Sequence, residues 1–137
     1  MSRALARHAE LRAGSFESVL ERAAPGDFVY FDPPYAPVSP TARFTSYTAD
    51  GFGEEGHVRL QQVVVALARR GCAVVLSNST APLVRGLYDR NAEARAAGLK
   101  AHLVRARRAI NCLPGARGEV FEYLITNVPA RRPARRG

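Results

Sequence analysis

Cysteine is scarce in this 137-residue chain, and Cys72 and Cys112 stand far apart without any Cys-x-x-Cys spacing. That spacing indicates neither a disulfide framework nor a thiolate zinc site. His8, His57 and His102 are equally scattered, so no pair of ligands at helical or hairpin spacing points to a metal. No apolar run approaches the roughly 20 residues needed to cross a bilayer. The opening stretch MSRALARHAELRAG lacks the apolar centre of a secretory signal. These absences read as a soluble, cytoplasmic protein with neither metal nor membrane among its partners.

Acids are also in deficit: 12 Asp and Glu against 20 Lys and Arg give a net charge of +8. A polyanionic partner is the expectation, because basic side chains bind phosphates and release condensed counterions. Half of that excess sits in the tail VPARRPARRG, 128–137, with four arginines and no acid. The tail reads as a basic, disordered end or as a nucleic-acid-contacting arm. The stretch LVRARRAINCLPGARG, 103–118, places Arg105, Arg107, Arg108 and Arg117 on or beside an expected hairpin, and a folded basic patch is more informative than a tail. With 47% apolar residues, nine prolines and eleven glycines, the length suits one domain with one core.

Periodicity predicts the elements. AELRAG (9–14) is a candidate short strand, and SFESVLERA (15–23) has helical spacing with Ser15 as N-cap. DFVYF is a strand after the breaker Pro25-Gly26. Residues 36–54 form a long Pro/Ser/Thr/Gly-rich connection, the profile of a binding loop. The stretch 54–71 is an amphipathic helix with Leu60, Val64, Leu67 and Ala68 on one face, glutamates first, arginines last and Gly71 as C-terminal cap. CAVVLS (72–77) has the continuous apolar character of a strand covered on both faces. TAPLVRGLYDRN reads as a helix with Thr80 as N-cap and Pro82 in its first turn. LKAHLVRARR and EVFEYLIT are two strands of an antiparallel hairpin. The sum is an α/β fold whose interior strands are parallel, finished by a hairpin.

Two motif readings fall on physical grounds. GFGEEG (51–56) fits the dinucleotide pattern G-x-G-x-x-G, yet no strand precedes it and Glu54 and Glu55 would repel a pyrophosphate. A glycine-rich entry into the following helix accounts for it. Cysteine attack on a pyrimidine is unsupported, since neither cysteine sits in a turn that presents it, and the zinc deaminase signature is absent.

DPPY remains. Asp32 closes an expected strand, at the end where ligands bind in open parallel α/β sheets. Pro33, Pro34 and Tyr35 follow. A strand-terminating turn is one account. The chemistry supplies another: the N6 lone pair of adenine is delocalised into the ring, and acceptors for its two protons localise it. The Asp32 carboxylate and the Pro33 carbonyl are two such acceptors on a stiff backbone, and Tyr35 is placed to stack on a flipped-out purine.

At this point the chain resembles the C-terminal part of Dam-type DNA adenine N6-methyltransferases, which use S-adenosylmethionine. The resemblance rests on LRAGSFESVL, GDFVYFDPPYAPVSPTARFTSYTADGF, VVLSNS, RRAIN with the basic glycine loop after it, and EVFEYLITN. It implies a partial Rossmann-like class I methyltransferase fold: parallel strands with helices plus a C-terminal antiparallel hairpin. Residues 1–127 would form the C-terminal part of the catalytic domain, with 128–137 as the tail. Carried over residue by residue, it makes Asp32, Pro33, Pro34 and Tyr35 the catalytic motif, and sets Ser15, Phe16 and Asp32 at the cofactor. Tyr35, Phe44, Tyr47, Ser77 and Asn78 would surround the target base, and Arg107 and Arg108 would contact DNA phosphate. Each has a plainer alternative: an N-cap for Ser15, a core aromatic for Phe16, loop packing for Phe44 and Tyr47, a solvated edge strand for the arginines.

The family's Phe-x-Gly-x-Gly-like turn, its ribose-binding acid and its DNA-reading insertion have no counterpart in this sequence. The resemblance therefore implies a DFVYF strand with an unpaired apolar edge, a chain inactive by itself, and a separately encoded N-terminal fragment as partner alongside double-stranded DNA. Two other readings stand beside it: a non-catalytic basic nucleic-acid-binding remnant, and an amino-methyltransferase acting on RNA or protein.

Overall fold

A computed structural model describes residues 9–38, 52–106 and 120–129. Within them a four-stranded sheet carries helices in a mixed α/β arrangement. Its strands are β1 (Phe28–Phe31), β2 (Ala73–Ser79), β3 (Lys100–Ala106) and β4 (Val120–Thr126), in the spatial order β1-β2-β4-β3. The helices are α1 (Glu54–Arg70), α2 (Pro82–Tyr88) and α3 (Ala92–Ala96), preceded by a 3-10 helix, Phe16–Glu21.

β1 and β2 are parallel, Phe28 opposite Ala73 and Phe31 opposite Leu76, with α1 in the connection between them. The expectation of parallel interior strands fails at β4. It lies between β2 and β3 and runs antiparallel to both, with Ser77 opposite Leu124 and Leu103 opposite Tyr123. The reason is connectivity: β3 and β4 pair as a hairpin, as expected, and the returning strand inserts beside β2.

Helix α1 packs Leu60, Val64 and Leu67 into the core with Val74, Leu76, Val84 and Ile125. Its acidic first turn, Glu54 and Glu55, and its basic last turn, Arg69 and Arg70, both complement the helix dipole. The helix ends on Gly71, at φ +95°, where the Gly71 N–H meets the Ala68 carbonyl and the Cys72 N–H the Leu67 carbonyl. Only glycine takes that backbone conformation without strain. The glycine-rich entry is equally plain: Gly53 is the N-cap, and a Cβ on Gly56 would stand 3.1 Å from the Phe52 ring.

Other expectations need correction. Residues 9–14 form no strand. They have no ladder partner among the described residues, and Leu11 is 87% exposed, so the segment buries little. The helix expected over 15–23 is the six-residue 3-10 turn, with Ser15 as its cap: the Ser15 hydroxyl accepts from the Glu17 N–H at 3.4 Å. Its far end is held by Arg70, whose Nη1 donates to the carbonyls of Leu20 (2.5 Å) and Ala23 (2.9 Å). Thr80 does not cap α2. Ala81 occupies the cap position, and the hydroxyl that reaches the Ala81 N–H, at 3.3 Å, belongs to Ser79. The helical stretch also breaks after Tyr88, and Asn91 caps the short α3 by accepting from the Ala94 N–H at 3.0 Å.

β2 runs to Ser79, two residues past the apolar run CAVVLS, so Asn78 lies within the strand. At the other end of β2, Asn127 extends the ladder past the end of β4. Its Oδ1 accepts from the Val74 N–H and its Nδ2 donates to the Cys72 carbonyl, both at 2.8 Å. Among the described residues β1 has a neighbour on one side only, and its Phe28 and Tyr30 side chains are 64% and 54% exposed.

Candidate active site

The apolar run Phe28–Phe31 pairs with β2 and stops at Asp32, because Pro33 and Pro34 have no N–H with which to continue a ladder. The carboxyl ends of the parallel pair β1 and β2 therefore lie side by side, and the Asp-Pro-Pro-Tyr turn passes across them. Strand alternation divides its anchors between two faces of β2.

On one face Tyr30, Ser77 and Asp32 form a line. The Tyr30 phenol and the Ser77 hydroxyl are 3.1 Å apart, and Ser77 Oγ donates to Asp32 Oδ1 at 3.3 Å. Ser77 is buried whereas Asp32 is exposed, so the carboxylate is steered from below and left open above. Tyr35 reaches further, and its hydroxyl donates to Glu122 Oε2 on β4 at 3.0 Å. Burial raises the Tyr35 phenol above its ordinary pKa. The hydrogen bond with Ser77 opposes that rise, and the hydrogen bond and negative charge of Glu122 add to it.

On the other face the turn is pinned by Asn78, which is 1% exposed. Its Oδ1 accepts from the Ala36 N–H at 3.0 Å and from the Ser79 N–H at 2.8 Å. Its Nδ2 lies 3.4 Å from Nδ1 of His57, a buried residue of α1. Ser79, which by the same alternation shares the face of Ser77, donates its hydroxyl to the Ala36 carbonyl at 2.5 Å. Ala36 is thus bonded through both its backbone groups, and the turn has little freedom to move as a unit.

Of the residues expected at the site, the structure brings Asp32, Pro33, Pro34, Tyr35, Ser77 and Asn78 together. Ser77 and Asn78 do not face one crevice, however. They are consecutive strand residues, so Ser77 turns to the carboxylate and Asn78 to the helix. The amide of Asn78 is spent on holding the turn. Phe16 stands apart: its ring meets Phe52 edge-on, centroids 6.0 Å apart, and the Arg59 guanidinium lies 5.8 Å from its ring centre. Arg59 also bonds Glu17, Nη1 to Oε1, at 3.0 Å. A chain of contacts still joins the two regions, since Phe52 meets His57 edge-on at 4.8 Å and His57 meets Asn78. Phe44, Tyr47, Arg107 and Arg108 lie outside the described residues.

Sequence reasoning missed Glu122 and His57. Glu122 looked like one polar residue of an alternating strand and His57 like a lone histidine, and only the register of β4 and the packing of α1 reveal their partners. Among the described residues no cluster of His, Cys, Asp and Glu suits a metal ion, and no helix is long and apolar enough to cross a membrane.

Comparison with known proteins accords with this geometry. The family model for D12 class N6 adenine-specific DNA methyltransferases matches residues 1–110. The chain is 40% identical over 118 residues to the type II methyltransferase M1.LlaDCHI of Lactococcus lactis subsp. cremoris, covering 86% of this chain and 39% of that protein. To the DNA adenine methylase of Escherichia coli K12 it is 35% identical over 124 residues, covering 90% and 42% respectively. To the DNA N-6-adenine-methyltransferase of Escherichia phage P1 it is 35% identical over 115 residues, covering 84% and 14%. It thus spans less than half the length of these relatives. The chain belongs to the D12 class of N6 adenine-specific DNA methyltransferases.

Proposed function

We propose that this chain carries the catalytic turn of a methyltransferase that acts on N6 of a flipped adenine in double-stranded DNA. One observation carries the reading: the Asp32 carboxylate is open to solvent yet oriented by buried Ser77, at the paired carboxyl ends of two parallel strands. That is where an α/β sheet receives ligands. We read the sheet as part of a Rossmann-like class I methyltransferase fold, with β1, α1 and β2 as one of its parallel units.

S-adenosylmethionine supplies, when bound, a sulfonium methyl group of high electrophilicity. The donor set suits it in part. Asp32 offers an accessible carboxylate and Phe16 a half-buried ring beside the cap Ser15, groups for the charged and the aromatic ends of such a molecule. Asp32 and the Pro33 carbonyl accept the two N6 protons of adenine, so the lone pair leaves the ring and points outward. Tyr35 stacks on the base and fixes the direction of that pair, and orientation of this kind is worth several powers of ten in rate. The surplus N6 proton departs through Asp32 to water. Asn78 is a positioning residue that keeps Ala36, and with it the turn, on the sheet.

Phe44 and Tyr47 complete the wall of the base pocket in this reading, and Arg107 and Arg108 hold DNA phosphate. Methyl transfer requires, in addition, segments of the kind by which the longer relatives exceed the matched stretch, and a separately encoded N-terminal fragment is one source of them. The test is transfer of labelled methyl from S-adenosylmethionine to unmethylated DNA, by the chain alone and with a polypeptide bearing those segments. N6-methyladenine should form in the mixture only, and Asp32→Ala should lower the rate by about 100-fold or more. Turnover by the chain alone refutes the need for those segments, and product at another atom, or on RNA or protein only, refutes the reading.

A further inference from the structure

We propose that Glu122 is a positioning residue for Tyr35, holding its ring over the turn in the orientation that receives a base. The inference rests on the function proposed above for the turn. Three observations support it. The Tyr35 hydroxyl donates to Glu122 Oε2 at 3.0 Å, across 87 residues of sequence. Glu122 stands opposite Ser79 in the β2–β4 register, beside the strand end where Ser79 binds the Ala36 carbonyl. Tyr35 and Glu122 are both half-buried, so the contact is partly shielded from water and stronger than an exposed one.

Pro33 and Pro34 stiffen the backbone before Tyr35, and Ala36 is fixed on both sides, but neither sets the tyrosine's own side-chain torsions. The bond to Glu122 does so, beside the contact of the phenol with Ser77. The Glu122 bond links the turn after β1 to a strand two positions across the sheet that is paired on both sides, so the ring's orientation is tied to that strand. A ring already in place lowers the apparent dissociation constant of a stacked base, because the competent conformer is the populated one.

Two measurements on the full chain test this. Nuclear magnetic resonance of ring-labelled tyrosine, with the Tyr35 signals identified by their loss in Tyr35→Phe, reports the ring without any ligand. Amide shifts at Ala36 during titration with adenosine report base binding. Glu122→Ala should displace the Tyr35 ring signals and weaken adenosine binding by about three- to tenfold. Glu122→Gln, which keeps an acceptor oxygen, should recover part of that loss. Tyr35→Phe removes the same bond from a loop position and should make Glu122→Ala without further effect on binding, the non-additivity of a direct pair. Unchanged ring signals in Glu122→Ala overturn the proposal, and so does adenosine binding as tight as in the parent chain. Displaced ring signals in a chain whose Ala36 amide never responds to adenosine uphold the positioning of Tyr35 and refute the base-stacking reading instead.

Discussion

The amide of Asn78 faces Nδ1 of His57 across 3.4 Å, and because Oδ1 of that amide already accepts two backbone N–H groups, it is Nδ2 that points at the imidazole. His57 Nδ1 must therefore accept, which only a neutral ring can do. Burial likewise lowers the His57 pKa below its ordinary 6.5. The neutral form is the one the fold favours, so this contribution to stability is complete above pH 6.5 and is lost as pH falls through the lower folded value. The thermal midpoint should decline from pH 7 to pH 5, and His57→Gln should flatten the decline. An equal slope in the variant would exclude His57 as its source.

Asn127 satisfies two backbone groups of the β2 entry with one side chain. Asn127→Ala leaves the Val74 N–H and the Cys72 carbonyl without those partners, and unfolding in urea should show a loss of about 1–3 kcal/mol. A loss below about 0.5 kcal/mol would mean that water replaces the amide.

Leu67 lies wholly buried in the core beneath the sheet. Leu67→Ala should cost about 2–5 kcal/mol through lost burial and the cavity left behind, enough to unfold much of a domain of ordinary stability. Circular dichroism during a denaturant titration measures it.

Phe28 projects from β1 into solvent at the sheet's edge. Sedimentation velocity should reveal association that grows with concentration, and Phe28→Lys should suppress it with a change in stability within about 0.5 kcal/mol. A parent chain that stays monomeric at high concentration would contradict this.

Much of this molecule is legible from its residues alone. The amphipathic period of α1, its charge polarity and the Gly71 cap are local properties, and the structure follows them closely. DFVYF and EVFEYLIT carry their strand character in side-chain type. Long-range choices were harder to read. Nothing local in β4 says that it inserts next to β2, and the division of Ser77 and Asn78 between two faces depends on β2 running two residues past its apolar run. Thr80 has the chemistry of a cap, yet the cap position falls one residue later, at Ala81, with no side-chain cap bond. Asp32, Pro33, Pro34 and Tyr35 were identifiable as a motif. What holds them, Ser77 on one side, Asn78 with His57 on the other, and Glu122 across the sheet, is a property of the register.

The Asp-Pro-Pro-Tyr turn hangs from β1, which among the described residues is one of the two edge strands of the sheet. Its N–H and C=O groups on the free side are open to another strand, and whatever binds there binds the folded form preferentially. By mass action such a ligand stabilises β1 by RT ln(1 + [L]/Kd), and with it the geometry around Asp32. Ordering of the reactive turn and occupancy of the sheet edge are therefore linked equilibria, and hydrogen exchange at Tyr30 and Phe31 would report on both at once.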